Sequence, residues 1–200
     1  MPLIKTEQKK LDILEYASLR FGKYGVAKTT IDELSKDMRM GKASLYHYFS
    51  SKEDLYYQAI NFESGRLLAK VKETFNNDSI ALPDKLKIYF NLKTDIKKQH
   101  RILYNLFNLI INDTANTKEK ELAADLINKE SGLIKSILSA YHPDDHDIED
   151  RELGLFFSLL SFTALYPIEL LNLFNNDKKK EIFGANFSIL IEKLLSKNPV

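Results

Sequence analysis

Apolar residues in this 200-residue chain recur at helical spacing almost from end to end, and no competing pattern interrupts them. Valine is scarce, no run sustains a period-two alternation, and neither Asn-Gly nor Asp-Gly marks a hairpin. The fold class expected is therefore all-α. Leu11, Leu14, Ala17 and Phe21 share one face of a first helix, which Gly22 and Gly25 suit as a C-terminus. Thr30 followed three positions later by Glu33 is a capping box, in which each side chain satisfies a free backbone N–H of the other; it opens a second helix running to about Met38. Arg39 to Lys42 turn around Gly41, and Ala43 to Phe49 form a short third helix with Leu45 and Phe49 one turn apart and facing inward. Ser50 with Glu53, or Ser51 with Asp54, caps a fourth helix reaching about Phe75.

Beyond the polar break Asn76 to Ser79, Pro83 suits the first residue of a helix that extends to about Lys98. Further helices are expected at about Arg101 to Ile111, Lys118 to Tyr141, Ile148 to Phe174 and Lys178 to Ser196, with Pro167 kinking the penultimate one. The pattern divides into residues 1–52, three short helices across tight turns, and residues 53–200, a larger helical body entered through the long fourth helix. A hydrophobic content of 44% can fill a core in either part.

Several classes drop out on composition. There is no cysteine, hence no disulfide framework, thiol nucleophile or zinc finger, which fits a reducing compartment. The N-terminus, MPLIKTEQKK, turns charged too early for a signal peptide, and a cytoplasmic location is expected. The uncharged stretch Leu153 to Ile168 is shorter than the roughly 20 apolar residues a bilayer requires and carries Ser158, Ser161, Thr163 and Pro167, so it reads as a buried helix and no membrane partner is expected.

A formal net charge of +1 argues against a nucleic-acid partner until its distribution is considered. Residues 1–52 hold ten Lys or Arg against six Asp or Glu, a net +4, which leaves the body at −3. A basic end on a mildly acidic body suits a chain that meets phosphate at one end only. The third helix adds to this: Lys42, Ser44, Tyr46, His47 and Tyr48 crowd a short segment with hydrogen-bond donors, as a surface touching phosphates and base edges requires.

Phe21, Gly25, Thr29-Thr30-Ile31, Leu34, Lys42-Ala43-Ser44-Leu45-Tyr46-His47-Tyr48-Phe49 and Ser51-Lys52-Glu53-Asp54-Leu55 together resemble the signature of the TetR family of bacterial transcriptional regulators, over about the first quarter of the chain. The resemblance implies a homodimeric, all-helical repressor whose N-terminal three-helix, helix-turn-helix DNA-binding domain reads a palindromic operator in double-stranded DNA, and whose body binds a small-molecule inducer. Position by position, it places Thr29, Thr30, Lys42, Ala43, Ser44, Tyr46, His47, Tyr48 and Lys52 at the DNA. Thr30, Tyr46 and Lys52 would meet phosphates, while Lys42, Ser44 and His47 would face bases or phosphates. The chain departs from the family at Ser35 and Met38, where small residues are usual, and at Arg39, where a glycine is usual. Gly41 replaces a small polar residue at the start of the third helix and so removes a side-chain cap.

In the body, Tyr89, Tyr104, Phe107, Asn108, Phe157 and Ser161 are the candidates for a ligand site, although the same aromatic residues serve equally well as core. Asn105 and Asn108 could orient a ligand or point outward. Leu155, Leu159, Phe162, Tyr166 and Leu170 form one stripe, and Phe183, Phe187, Leu190 and Leu194 a second. In the family such a pair of helices packs with the partner's pair as a four-helix dimer interface, and two half-sites need a two-fold dimer. His142, His146, Glu149 and the aspartates between them set imidazoles and carboxylates close together; a solvated acidic loop is the commoner use of such a pattern, and no metal or other cofactor is assigned. No phosphate loop or nucleophile–base arrangement supports an enzyme. The alternative from another class is a helical small-molecule or lipid carrier that has lost DNA binding.

Overall fold

A computed structural model describes residues 5–141. Among the described residues there are eight α-helices and no strand: α1 (Lys5–Tyr24), α2 (Ile31–Asp37), α3 (Lys42–Tyr48), α4 (Lys52–Asn76), α5 (Leu82–Thr94), α6 (Ile96–Gln99), α7 (Arg101–Ile111) and α8 (Thr117–Tyr141). The residues form two compact units. Of the described residues, the first takes those up to Leu67 together with Lys97–Leu126, and the second takes Leu68–Ile96 with those from Ile127 to Tyr141.

In the first unit α1 buries Ile13, Leu14, Ala17 and Phe21, the 3.6-residue stripe that the sequence spells out. Phe21 meets the Tyr56 ring edge-on at 5.3 Å. The helix passes through Gly22, the first of the two glycines that suit its end. It continues to Tyr24, and the stop is Gly25, whose φ of 79° is the left-handed conformation that only glycine adopts without strain. Gly22 has another task. A Cβ there would lie 3.0 Å from the backbone nitrogen of Ile102 and 3.2 Å from Cβ of Arg101, so its missing side chain lets α1 rest directly on the start of α7. Asn105 of α7 fastens the contact by donating from Nδ2 to the Gly22 carbonyl at 2.9 Å. The asparagine read as a ligand-orienting or outward-pointing group is instead a tie between helices.

A buried polar pair lies in the same unit. Nδ1 of His100, the N-cap of α7, lies 2.5 Å from Oε1 of Glu63 on α4, and both side chains are almost wholly enclosed. At the start of α8, Asn116 and Glu119 exchange side-chain-to-backbone hydrogen bonds at 2.8 and 2.9 Å, a reciprocal cap. The buried Tyr56 hydroxyl donates to Glu119 at 3.1 Å, and burial, then the carboxylate's charge, push its pKa well up.

In the second unit Tyr89 and the ammonium of Lys93 converge on Glu130 at 2.7 and 2.5 Å, and Lys85 donates to the carbonyl of Phe75 at 2.7 Å. Burying charge is tolerated here because each group meets a polar partner. The helix expected to run from Pro83 to about Lys98 is interrupted at Asp95, whose N–H closes onto the carbonyls of both Asn91 and Lys93; the tightened turn carries Ile96 into full burial. Pro83 itself falls at the start of α5. No helix among the described residues is long and apolar enough to cross a membrane.

Candidate nucleic-acid interface

The segment from Thr29 to Lys52 folds as a helix, a tight turn and a second helix. Thr30 caps α2: its hydroxyl accepts the Glu33 N–H at 3.2 Å, and its own N–H and hydroxyl donate to Oε2 of Glu33, each at 3.0 Å. Leu34 of α2, Leu45 of α3 and Phe49 at the C-cap of α3 are buried, so three apolar side chains fix how the two helices cross. Between them Arg39 takes φ 51°, the conformation for which the family's glycine is suited. Gly41 is the N-cap of α3 and makes no side-chain cap. α4 then opens with Ser51 accepting the Asp54 N–H at 3.0 Å, while the Asp54 carboxylate takes the N–H and hydroxyl of Ser50 at 2.8 and 3.1 Å.

With Leu45 turned inward, α3 leaves Lys42, Ala43, Ser44, Tyr46 and His47 exposed. Tyr48 is half-buried, its ring edge-on to His47 at 5.4 Å. These residues and the exposed Thr30 all belong to the first unit. Two expected contacts stand differently. Thr29 is wholly buried, and its hydroxyl donates to the Gly25 carbonyl at 2.8 Å, so it closes the loop before α2 and has no donor left for DNA. The half-buried Lys52 donates from Nζ to the Val26 carbonyl at 3.1 Å, tying the start of α4 to that same loop.

The basic excess of this region is partly spent within it. Arg20 of α1 pairs with Asp37 and, at 3.4 Å, with Glu33, and its guanidinium stacks on Tyr24 at 5.1 Å. It thereby braces both ends of α2. Lys42 pairs with Asp32 at 2.8 Å. Hydrogen bonding to Lys42, then its charge, hold the Asp32 carboxyl below the usual carboxylate range; the same bond, then the charge of Asp32, push the Lys42 ammonium up, and hydrogen bonds from Thr30 hold Glu33 down. A count of charges does not reveal this. Tyr16, Arg20 and Tyr24 at four-residue intervals are the one local sign that Arg20 faces a neighbouring helix, whereas nothing local joins Asp32 to Lys42 across the turn.

A basic, donor-rich third helix locked across a tight turn onto the second defines a helix-turn-helix protein. Residues 13–59 match the family described as "Bacterial regulatory proteins, tetR family", and this segment is a TetR-family helix-turn-helix domain. Among curated proteins the chain is 26% identical over 92 residues to the biofilm operon icaADBC HTH-type negative transcriptional regulator IcaR of Staphylococcus aureus (strain Newman). That alignment takes in 46% of this chain and 50% of IcaR, so the chain spans about half the length of the curated relatives it matches. Among solved structures it shares its fold with a TetR transcriptional regulator from Legionella pneumophila (TM-score 0.69, 15% identity, 96% of this chain and 99% of that one). It shares it also with FadR from Bacillus subtilis in complex with stearoyl-CoA (TM-score 0.65, 15% identity, 94% of this chain and 98% of that one).

The body candidates are placed as follows. Tyr104 and Phe107 are buried on α7, Asn108 is half-buried there, and Tyr89 is buried in the second unit with its hydroxyl committed to Glu130. Phe157 and Ser161, the dimer-interface residues Leu155, Leu159, Phe162, Tyr166, Leu170, Phe183, Phe187, Leu190 and Leu194, and the acidic loop from His142 to Asp150 lie outside the described residues. No cluster of three or more His, Asp or Glu able to hold a metal occurs among the described residues.

Proposed function

We propose that the protein is a DNA-binding transcriptional regulator acting as a homodimeric repressor, released from a palindromic operator by a small-molecule ligand. The observation that carries this reading is the division of α3 into an inner face, Leu45 with Phe49 behind it, and an exposed face of Lys42, Ser44, Tyr46 and His47. Burying the inner face fixes the helix rigidly enough to place donors at base edges, and the exposed face supplies them. Thr30, Ala43, Tyr48 and Lys52 complete the proposed contact set. Thr29 is not part of it.

The functional division follows the sequence: residues 1–52 read DNA, and residues 53–200 hold the effector and the partner subunit. IcaR is by name a negative regulator, which supports repression. The FadR structure holds stearoyl-CoA, which supports an effector bound by the helical body. Tyr104, Phe107 and Asn108 of α7 are the described candidates for meeting it. A ligand releases the operator only by favouring the released conformation over the bound one. Selection of bound duplexes from a random pool tests the reading. The expected product is a palindrome with half-sites about one helical turn apart or a multiple of it. A chain that retains no duplex, yet takes up apolar ligands, would be a helical carrier.

A further inference from the structure

The three acids of α2 do different work. Glu33 caps the helix through Thr30 and pairs with Arg20. Asp37 also pairs with Arg20. Both therefore hold α2 in place and against α1. The Asp32 side chain takes part in neither job. It sits exposed on the first turn of α2 and reaches across the turn to the ammonium of Lys42, the first residue of α3, at 2.8 Å. Leu34, Leu45 and Phe49 already lock those helices together through full burial, so an exposed ion pair adds little to their packing.

Its consequence is electrostatic. A lysine contributes to duplex affinity and to its salt dependence by neutralising a phosphate and releasing the counterion held there. Lys42 already has an anion beside it. A phosphate arriving at that ammonium must displace the Asp32 carboxylate or suffer its repulsion, and either lowers the return from the contact. We propose that Asp32 is an internal phosphate surrogate, holding Lys42 in the free protein and limiting how tightly the recognition helix grips any duplex. Duplex binding then leans less on backbone charge and more on the base edges met by Ser44 and His47.

This inference rests on the function proposed above, and the experiment separates the two. Full-length wild type, Asp32→Asn, Lys42→Ala and the double variant are titrated with a duplex selected by the wild type and with a scrambled duplex, over a range of salt concentrations. Asp32→Asn is expected to tighten binding to both duplexes roughly two- to fivefold, the size of an exposed ion pair's coupling, and to steepen the salt dependence by about one unit of slope. In the Lys42→Ala background it should do neither. Unchanged or weaker binding by Asp32→Asn, at a melting temperature equal to wild type, overturns the surrogate role and makes Asp32 a support for α3. Equal tightening with and without Lys42 overturns it in favour of a general charge effect. A wild type that binds no duplex overturns the function and this inference together.

Discussion

His47 and Arg39 show two ways in which one residue would govern the proposed recognition surface. His47 is exposed on α3 beside the half-buried Tyr48 and offers its ring to whatever lies against the helix. Replacing it with alanine is expected to redistribute sequence preference, at a cost of about 1–3 kcal/mol for the favoured base pair; a uniform loss across all duplexes in the same selection would assign it to phosphate. Arg39 works through the backbone. Its φ of 51° costs an L-residue about 1–2 kcal/mol, so Arg39→Gly should raise the unfolding free energy measured by urea titration by up to that amount. Gly22 is the opposite case: Gly22→Ala sets a Cβ 3.0 Å from the backbone nitrogen of Ile102, which gives way only if the start of α7 shifts. It should destabilise the protein by about 1–3 kcal/mol. Gly65→Ala on α4, where a Cβ meets nothing within 4 Å, should stabilise by about 0.5–1 kcal/mol in the same measurement.

At the scale of elements, what could be read from the sequence and what could not divide along chain distance. The Thr30–Glu33 box, the missing cap at Gly41 and the inward Leu45 and Phe49 depend on neighbours within a turn, and their spacing records them. The ties between elements leave no such record: Asn105 to Gly22 spans 83 residues and His100 to Glu63 spans 37. The turn at Asp95 escaped the helix assignment because the burial of Ile96 that goes with it is a tertiary fact. The start of α4 also sets an acid limit. Gln58, then Ser50, hold the Asp54 carboxyl below its ordinary range near 4. A group depressed in the folded state contributes stability above its unfolded pKa and loses it as pH falls through the folded one. Stability should therefore decline below about pH 4, and Asp54→Asn should flatten that decline in urea titrations at successive pH values.

For the whole molecule, the compact unit that holds the helix-turn-helix is built from two stretches of chain, the residues up to Leu67 and Lys97–Leu126. A fragment ending at Leu67 lacks Ile102, Leu103, Leu106 and Phe107, all buried in the intact unit. It is expected to show much reduced helicity by circular dichroism and no measurable duplex binding, although it contains every proposed DNA contact. A fragment of native helicity would show that α1 to α4 suffice. The proposed dimer belongs to this scale as well: a two-fold pair would give the seven-residue α3 two half-sites to read in place of one.

The ledge under Gly22 bears on chimeras. Hybrid regulators made by transplanting an N-terminal reading head onto a foreign sensor body would here separate α1 from Arg101, Ile102 and Asn105, the residues shaped to receive it. A graft that borrows this head must take that ledge from the same parent, or find a host whose matching helix begins with an equally close seat.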